Sequence, residues 1–289
     1  MSAGTPDRPG GDRTGLLAGR VALVSGAARG QGRSHAVRIA EEGGDLVLFD
    51  VCGPVADTPY PPSTPDDLAR TVELARAAGA RVHAAQADAR DAAAVAAVVE
   101  AGVAELGGLD VVVANAGIVV PAPAVATTPQ VWDAVVGTNL TGVWYTVCAA
   151  LPHLVARGGG SIVITSSANG GLKAPPNLVA YAAAKFGVVG VMRTLAQELG
   201  PQRIRVNTVH PTAVATPMIH NEPTYRLFAP AVENPTADDV APVFAQFHTL
   251  PVPWIEPVDV SNAVVWLCSD EARHVTGVAL PVDAGLSAR

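Results

Sequence analysis

Short apolar runs alternate with longer stretches of helical spacing from Leu17 to the end of the chain. "VALVS" (21–25) is β-branched and ends in glycines, and "SHAVRIAEEGG" (34–44) has helical spacing followed by a glycine stop. "DLVLFD" (45–50), "ARVHAAQAD" (80–88), "LDVVVANAG" (109–117), "GSIVITSS" (160–167) and "RIRVNTVHP" (203–211) are further strand candidates. Helical segments near 91–106, 129–157 and 178–200 fall between them, and a helix (257–268) and strand (278–283) close the chain. Strands buried on both faces read as continuous Val/Ile runs, as these do. The pattern predicts one α/β domain over 17–289, a doubly wound parallel sheet of the Rossmann type.

Three stretches break the rhythm. Residues 1–16 are polar and rich in Gly and Pro, and are expected to be a disordered leader. "VCGPVADTPYPPSTP" carries five prolines in fifteen residues and is not regular structure, which makes 51–64 an insertion after the second strand. Thr64, Pro65, Asp66 and Asp67 then open a helix with a hydroxyl cap, a proline in the first turn and carboxylates at the positive dipole end. Residues 212–256 hold scattered prolines and three of the five phenylalanines, and are expected to form a substrate lid.

Composition narrows the function classes. Apolar residues make up 49% of the 289 and charged residues 16%, so much surface must be buried, in a large core or between subunits. The net charge of −7 and the absence of a Lys/Arg cluster argue against nucleic-acid binding. No apolar run reaches the roughly 18 residues of a membrane span. With no secretory signal pattern and three dispersed cysteines (Cys52, Cys148, Cys268), a cytoplasmic protein without disulfides or a metal is expected.

The turn after "VALVS" reads Ser25-Gly26-Ala27-Ala28-Arg29-Gly30-Gln31-Gly32. Glycines there let a pyrophosphate approach the backbone, and the following helix offers free N–H groups. Asp50 ends the second strand, 18 residues past Gly32, where a carboxylate accepts ribose hydroxyls and repels a 2′-phosphate. Val51 and Cys52 add no cation, so NAD is favoured over NADP. The chain holds 17 Arg but only two Lys, and Lys185 stands in the apolar stretch "VAYAAAKFGVVG", four residues after Tyr181. That spacing puts both on one helix face. An ammonium beside a phenol favours the phenolate and is expected to lower its pKa. A snorkelling surface lysine is the plainer alternative.

In this order the motifs resemble the short-chain dehydrogenase/reductase family. The glycine turn, "DAR" (88–90), "NAG" (115–117), Asn139 in "GTNLTG", "ITSS" before Y-A-A-A-K, and "HPTAVATPM" (210–218) carry the resemblance. It implies a cofactor site formed by Gly26, Arg29, Gly30, Gln31, Gly32, Asp50, Val51, Asp88, Ala89, Asn115, Ala116, Gly117, Tyr181, Lys185, Pro211, Val214, Thr216 and Met218. It also implies a catalytic set of Asn139, Ser167, Tyr181 and Lys185, with Lys185 on the nicotinamide ribose and Asn139 in a proton relay. The family's serine lies 12 to 14 residues before the tyrosine; Ser167 is 14 before it, so Ser166 is assigned a structural place. Thr212 stands where the family has glycine, which puts the backbone there in doubt.

"FDVCGPVADTPYPPSTPDDLARTVELARAAGARV" resembles the mycofactocin-coupled, carveol-dehydrogenase-like branch. There the insertion covers an NAD that stays bound and is recycled by a mycofactocin-type redox carrier; a tolerated surface loop is the alternative. The resemblance implies an enzyme that moves hydride between a hydrophobic secondary alcohol or ketone and NAD, usually as a homotetramer. A ketoreductase with exchangeable NAD, an epimerase or dehydratase using bound NAD, and a cofactor-sensing protein are the rivals. Met218, Ile219, Phe228, Phe244, Phe247 and Trp254 suggest an uncharged substrate, or else a core or interface. No histidine is given a role: His35, His83, His153 and His274 read as solvated or helix-surface residues, and His210 and His220 could line the substrate end, although a lone histidine is more often structural.

Overall fold

The computed structural model describes residues 14–289. Seven strands form one parallel sheet in the order β3-β2-β1-β4-β5-β6-β7. They are β1 (Val21–Ser25), β2 (Asp45–Asp50), β3 (Val82–Gln86), β4 (Val111–Ala114), β5 (Gly160–Thr165), β6 (Ile204–Pro211) and β7 (Ala279–Val282). The connecting helices are α1 (Gly30–Glu41), α2 (Pro65–Ala77), α3 (Ala92–Leu106), α4 (Pro129–Val136), α5 (Gly142–Arg157), the short α6 (Ala168–Gly171), α7 (Val179–Glu198), α8 (Glu222–Phe228), α9 (Ala237–Ala245) and α10 (Pro257–Cys268).

Successive strand residues face opposite cores, as a pleat requires. Leu23, Val112 and Ile162 join one cluster with residues of α3, α5 and α7; Val24, Val113 and Val163 join the other with residues of α1 and α10. The strands therefore read as unbroken apolar runs. The order reverses between β1 and β4, which places a crevice at their carboxyl ends.

The expected elements shift in three places. The first helix begins at Gly30, because the glycine turn itself supplies its first turn. The single helix expected over 129–157 is divided by a π-helical turn, Gly137–Thr141, which carries Asn139. The segment 212–256, expected to form a lid, is partly helical: Asn221 caps α8 by accepting the Thr224 amide at 2.9 Å, and Thr236 and Asp239 form a capping box on α9. The insertion has no helix or strand between β2 and α2. Of the expected leader, residues 1–13 lie outside the described residues, and the Leu16 amide donates to Glu42 at 2.9 Å.

Two stretches, Pro129–Arg157 and Val179–Glu198, have the length and mean hydropathy of a membrane span although neither is an unbroken apolar run. Their apolar character comes from faces packed on the sheet: Val147, Leu154, Val188 and Met192 are fully enclosed in one core.

His35 corrects the reading of a solvated side chain. It is fully buried between α1 and α10, with Nδ1 2.8 Å from the Ser261 hydroxyl. Burial pushes its pKa down to about 3 from 6.5. The unfolded chain takes up this proton first, so the stability tied to neutral His35 is complete above pH 6.5 and lost as pH falls toward about 3. His35→Gln should therefore flatten the acid limb. Near pH 4.5 the wild type should have lost about 3 kcal/mol that the variant keeps. Calorimetry at neutral and acid pH checks this; equal losses of Tm in both proteins contradict it.

Candidate active site

The crevice between β1 and β4 is an elongated cavity floored by the β1–α1 turn. Gly26 is left-handed at φ 66°, and a Cβ on it would stand 2.8 Å from the Ala116 Cα. A Cβ on Gly32 would fall 1.9 Å from the Gly26 carbonyl oxygen, so no other residue fits there. Arg29 precedes α1 without a side-chain cap, which leaves the first N–H groups available to an anion. Arg29, Gly30 and Gln31 also line the cavity. Ser25 joins its two sides, accepting the Asn115 and Ala116 amides at 3.0 and 3.1 Å. A serine closing a strand carries no signal of that role in sequence.

At the other end Asp50 is held from three directions. Its Oδ2 accepts the Ala28 amide at 3.0 Å, and its Oδ1 accepts the Cys52 amide at 3.1 Å and the Ser63 hydroxyl at 2.6 Å. Val51, Asp88 and Ala89 line the adjoining wall. Hydrogen bonding from Arg90 keeps the Asp88 carboxyl below the usual range. Asn115, Ala116 and Gly117 line the middle, with Thr216 and Met218 opposite. Pro211 and Val214 do not line this cavity. Pro211 ends β6, and Val214 is buried in the core, bridged to Ile255.

The insertion is a strap over this cavity, and it reaches farther than the adenosine end. Tyr60 is buried, and its hydroxyl accepts the Val119 amide at 3.0 Å. The Arg29 guanidinium lies 5.8 Å from the Tyr60 ring centroid and donates to the Pro61 carbonyl. Val55 and Ala56 pack against the cluster of Ile118, Val135 and Ala180, against which Tyr181 also packs. Tyr60 and Ser63 were not among the expected site residues. Their partners lie 59 and 13 residues away along the chain, contacts that no local pattern encodes.

Tyr181 and Lys185, on α7, do not line the cavity themselves; the Lys185 ammonium stands beside Gly117, which does. Ser167 hydrogen-bonds the Tyr181 phenol, and its own hydroxyl donates to the Asn169 carbonyl at 2.9 Å. Ser166 faces elsewhere, donating to the Lys185 carbonyl at 3.0 Å. The Lys185 ammonium is 5.7 Å from the Tyr181 ring centroid and donates to the Thr165 carbonyl at 2.7 Å. A Cβ on Gly117 would stand 3.5 Å from it and 3.3 Å from Asn139 Oδ1. Asn139 uses both ends of its amide on Ile118, at 2.8 Å each.

The protonation states differ from the sequence expectation. Burial pushes the Tyr181 phenol up, the bond from Ser167 offsets part of this, and the ammonium does not bring it below its ordinary value. Burial likewise lowers Lys185 to about 8. Desolvation acts against both charged forms at once, which a four-residue spacing cannot convey.

The cavity fits NAD. Gln31 Oε1 and Thr138 Oγ1 are buried without a partner, and both residues line it, so ligand donors would relieve a desolvation cost. Asp50 suits ribose hydroxyls and opposes a 2′-phosphate.

Comparison with known proteins agrees. Residues 26–287 match the family model described as enoyl-(acyl carrier protein) reductase. The (-)-trans-carveol dehydrogenase of Rhodococcus erythropolis is 51% identical over 92% of this chain and 97% of its own. The chain belongs to the short-chain dehydrogenase/reductase family. Two solved dehydrogenases of this type hold NAD. The carveol dehydrogenase of Mycobacterium avium shares 54% identity over 96% of this chain and 100% of its own, with a TM-score of 0.94. A short chain dehydrogenase of Mycobacterium paratuberculosis shares 43% over 95% and 100%, with a TM-score of 0.87.

In this dehydrogenase the segment that follows β6 and its histidines depart from expectation. Thr212 is not among the described residues with positive φ, so it needs no glycine; its hydroxyl meets His248 Nε2 at 2.6 Å. His248, given no place by the sequence, is buried and bonds the Val252 carbonyl through Nδ1. His210 is buried behind the site, with Nδ1 3.0 Å from the Ser167 carbonyl. His220 stacks edge-on to Trp254 at 4.6 Å. Phe228, Phe244 and Phe247 pack on one another, so much of the aromatic content of 212–256 holds that segment together.

Lys185 gives a stability test. Its pKa falls from 10.5 unfolded to about 8 folded, so stability rises with pH across that window and the cost of burial is complete below it. Lys185→Met should stabilise the cofactor-free protein by about 3 kcal/mol near neutral pH, with the gain shrinking as pH rises toward the unfolded value. Denaturant unfolding measures this; a variant less stable than the wild type contradicts it.

Proposed function

We propose that this chain is an NAD-dependent dehydrogenase/reductase acting on a hydrophobic secondary alcohol or its ketone. The observation that carries the reading is the Tyr181 phenol, bonded by Ser167 and one helical turn from Lys185, at the cavity end that Gly117 forms. The substrate hydroxyl lies against Ser167 and Tyr181. Ser167 orients its oxygen, and Tyr181 takes its proton during oxidation or returns it during reduction. The Lys185 ammonium opposes the cost of a buried phenolate. A bound NAD would supply the acceptor for the hydride of the carbinol carbon. Gly26, Gly32 and the open end of α1 would hold its pyrophosphate, and Asp50 its adenosine ribose. Lys185 passes the proton toward solvent, in a relay where Asn139 would position a water. Because Tyr181 is a phenol at neutral pH, reduction should run best at or below neutrality and oxidation should gain with rising pH.

Tyr181→Phe should keep cofactor affinity and lower kcat by at least about a thousandfold, the scale of general acid–base catalysis. Ser167→Ala should cost far more than Ser166→Ala, and Lys185→Arg should fail despite its charge, because a planar fork cannot replace a point ammonium. Steady-state assays with a carveol-like alcohol check the series. Ordinary turnover by Tyr181→Phe overturns the assignment.

The finer reading is that NAD stays bound and is recycled by a mycofactocin-type redox carrier, in a cytoplasmic homotetramer. The strap supports the first part, because its three attachments cross the cavity from Asp50 to Val119. Exposed Trp132, Trp144, Val155 and Phe186 on α4, α5 and α7 support the second. Purified protein should retain NAD through gel filtration and reduce a dye with alcohol while using added NAD poorly. Replacing residues 53–62 by a short loop should restore exchange. A protein that purifies empty and turns over free NAD rapidly leaves only the plain dehydrogenase.

A further inference from the structure

Asp50 has two tasks in one carboxylate. It ends β2 where an adenosine ribose would sit, and it is the strap's anchor, because Ser63 bonds its Oδ1 at 2.6 Å. Both residues are buried, at 7% and 8% exposure, so this hydrogen bond is shielded from competing water. The Cys52 amide shares Oδ1, and the Ala28 amide takes Oδ2. Together the three donors fix the plane of the carboxylate. Two are backbone groups of the turns that flank it. The third is a side chain from the insertion, 13 residues downstream.

We propose that Ser63 is a specificity-determining positioning residue, through which the strap takes part in choosing NAD over NADP. A carboxylate whose plane is fixed presents the lone-pair position that its three donors leave free, on Oδ2, to a ribose hydroxyl at no further entropic cost. A 2′-phosphate meets the same charge and cannot be accommodated by turning the carboxylate aside, because turning it breaks the Ser63 bond. Breaking that bond frees the strap at one of its three attachments, with Arg29 on Pro61 and Tyr60 on Val119 as the others. NADP is therefore opposed twice, by repulsion and by loss of strap closure. NAD gains from both. Cofactor choice and cofactor retention become one coupled property, and the coupling runs through a residue of the insertion.

The inference rests on the strap covering the cofactor, and its readouts need no substrate. Dissociation constants and off-rates for NAD and NADP are measured by tryptophan quenching and stopped flow on the full chain. Four proteins are compared: wild type, Ser63→Ala, Asp50→Ala and the double variant. Ser63→Ala should raise the NAD off-rate and narrow the NAD/NADP affinity ratio, each on the order of tenfold, the factor carried by a hydrogen bond to a charged group. Ser63→Thr, which keeps the hydroxyl, should restore both. In the Asp50→Ala background, Ser63→Ala should add little, because its partner is gone. A thermal melt of each cofactor-free protein separates misfolding from loss of the contact. The proposal is overturned if Ser63→Ala leaves the ratio within about twofold of wild type, or if it acts equally with and without Asp50. If NAD exchanges rapidly even in the wild type while the ratio still narrows in Ser63→Ala, the covering strap fails and the positioning role stands.

Discussion

The Lys185 ammonium is pulled inside by the Thr165 carbonyl at the end of β5, against a desolvation cost large enough to lower its pKa to about 8. Around it the carboxyl ends of β4 and β5, the start of α7 and the π turn at Asn139 come together, so its position sets theirs. A Cβ on Gly117 would meet the ammonium at an ordinary contact of 3.5 Å and crowd Asn139 Oδ1 at 3.3 Å. Ser166 contributes from the other side by bonding the Lys185 carbonyl, which ties the strand end to the helix. That leaves the next residue, Ser167, to face the Tyr181 phenol. A buried charge of this kind is a poor stabiliser and a good organiser, because removing either its partner or its enclosure exposes the full cost.

The strap puts a second constraint on the same cavity. Burial raises the Tyr60 phenol to about 12, so it stays a neutral hydrogen-bonding group under the ion of Arg29. Arg29 thereby serves the glycine turn and the strap together. The parts that would hold a pyrophosphate, a ribose and a nicotinamide are each also contacts of the insertion. Residues of the insertion line the same cavity as the glycine turn and Asp50.

Much of this was legible in sequence because it depends on local chemistry. Strands buried on both faces print as Val/Ile runs, the glycine turn prints as residues without side chains, and Asp50 stands at a strand end. Tyr181 and Lys185 print as a helical pair in a chain that otherwise avoids lysine. What escaped depends on contacts distant in the chain. The π turn at Asn139 arises because its amide bonds the Ile118 backbone 21 residues away. His35 looked solvated because its partner, Ser261, is 226 residues downstream. The phenol of Tyr181 was expected to be acidified by its neighbour, and burial reverses that sign. Pro211 and Val214 carried the family's motif, yet they do not line the cavity that Thr216 and Met218 help form.

The central claim is that this site moves a hydride from an alcohol carbon while Tyr181 moves the proton. The most direct measurement uses a carveol-like secondary alcohol deuterated at the carbinol carbon, incubated with the NAD-loaded protein. Mass spectrometry then follows the label. The account predicts that the deuterium appears on the nicotinamide ring of the reduced cofactor, one per ketone formed, with none released to water. Deuterium washed into solvent, or an alcohol returned epimerised or dehydrated with the cofactor still oxidised, would contradict it.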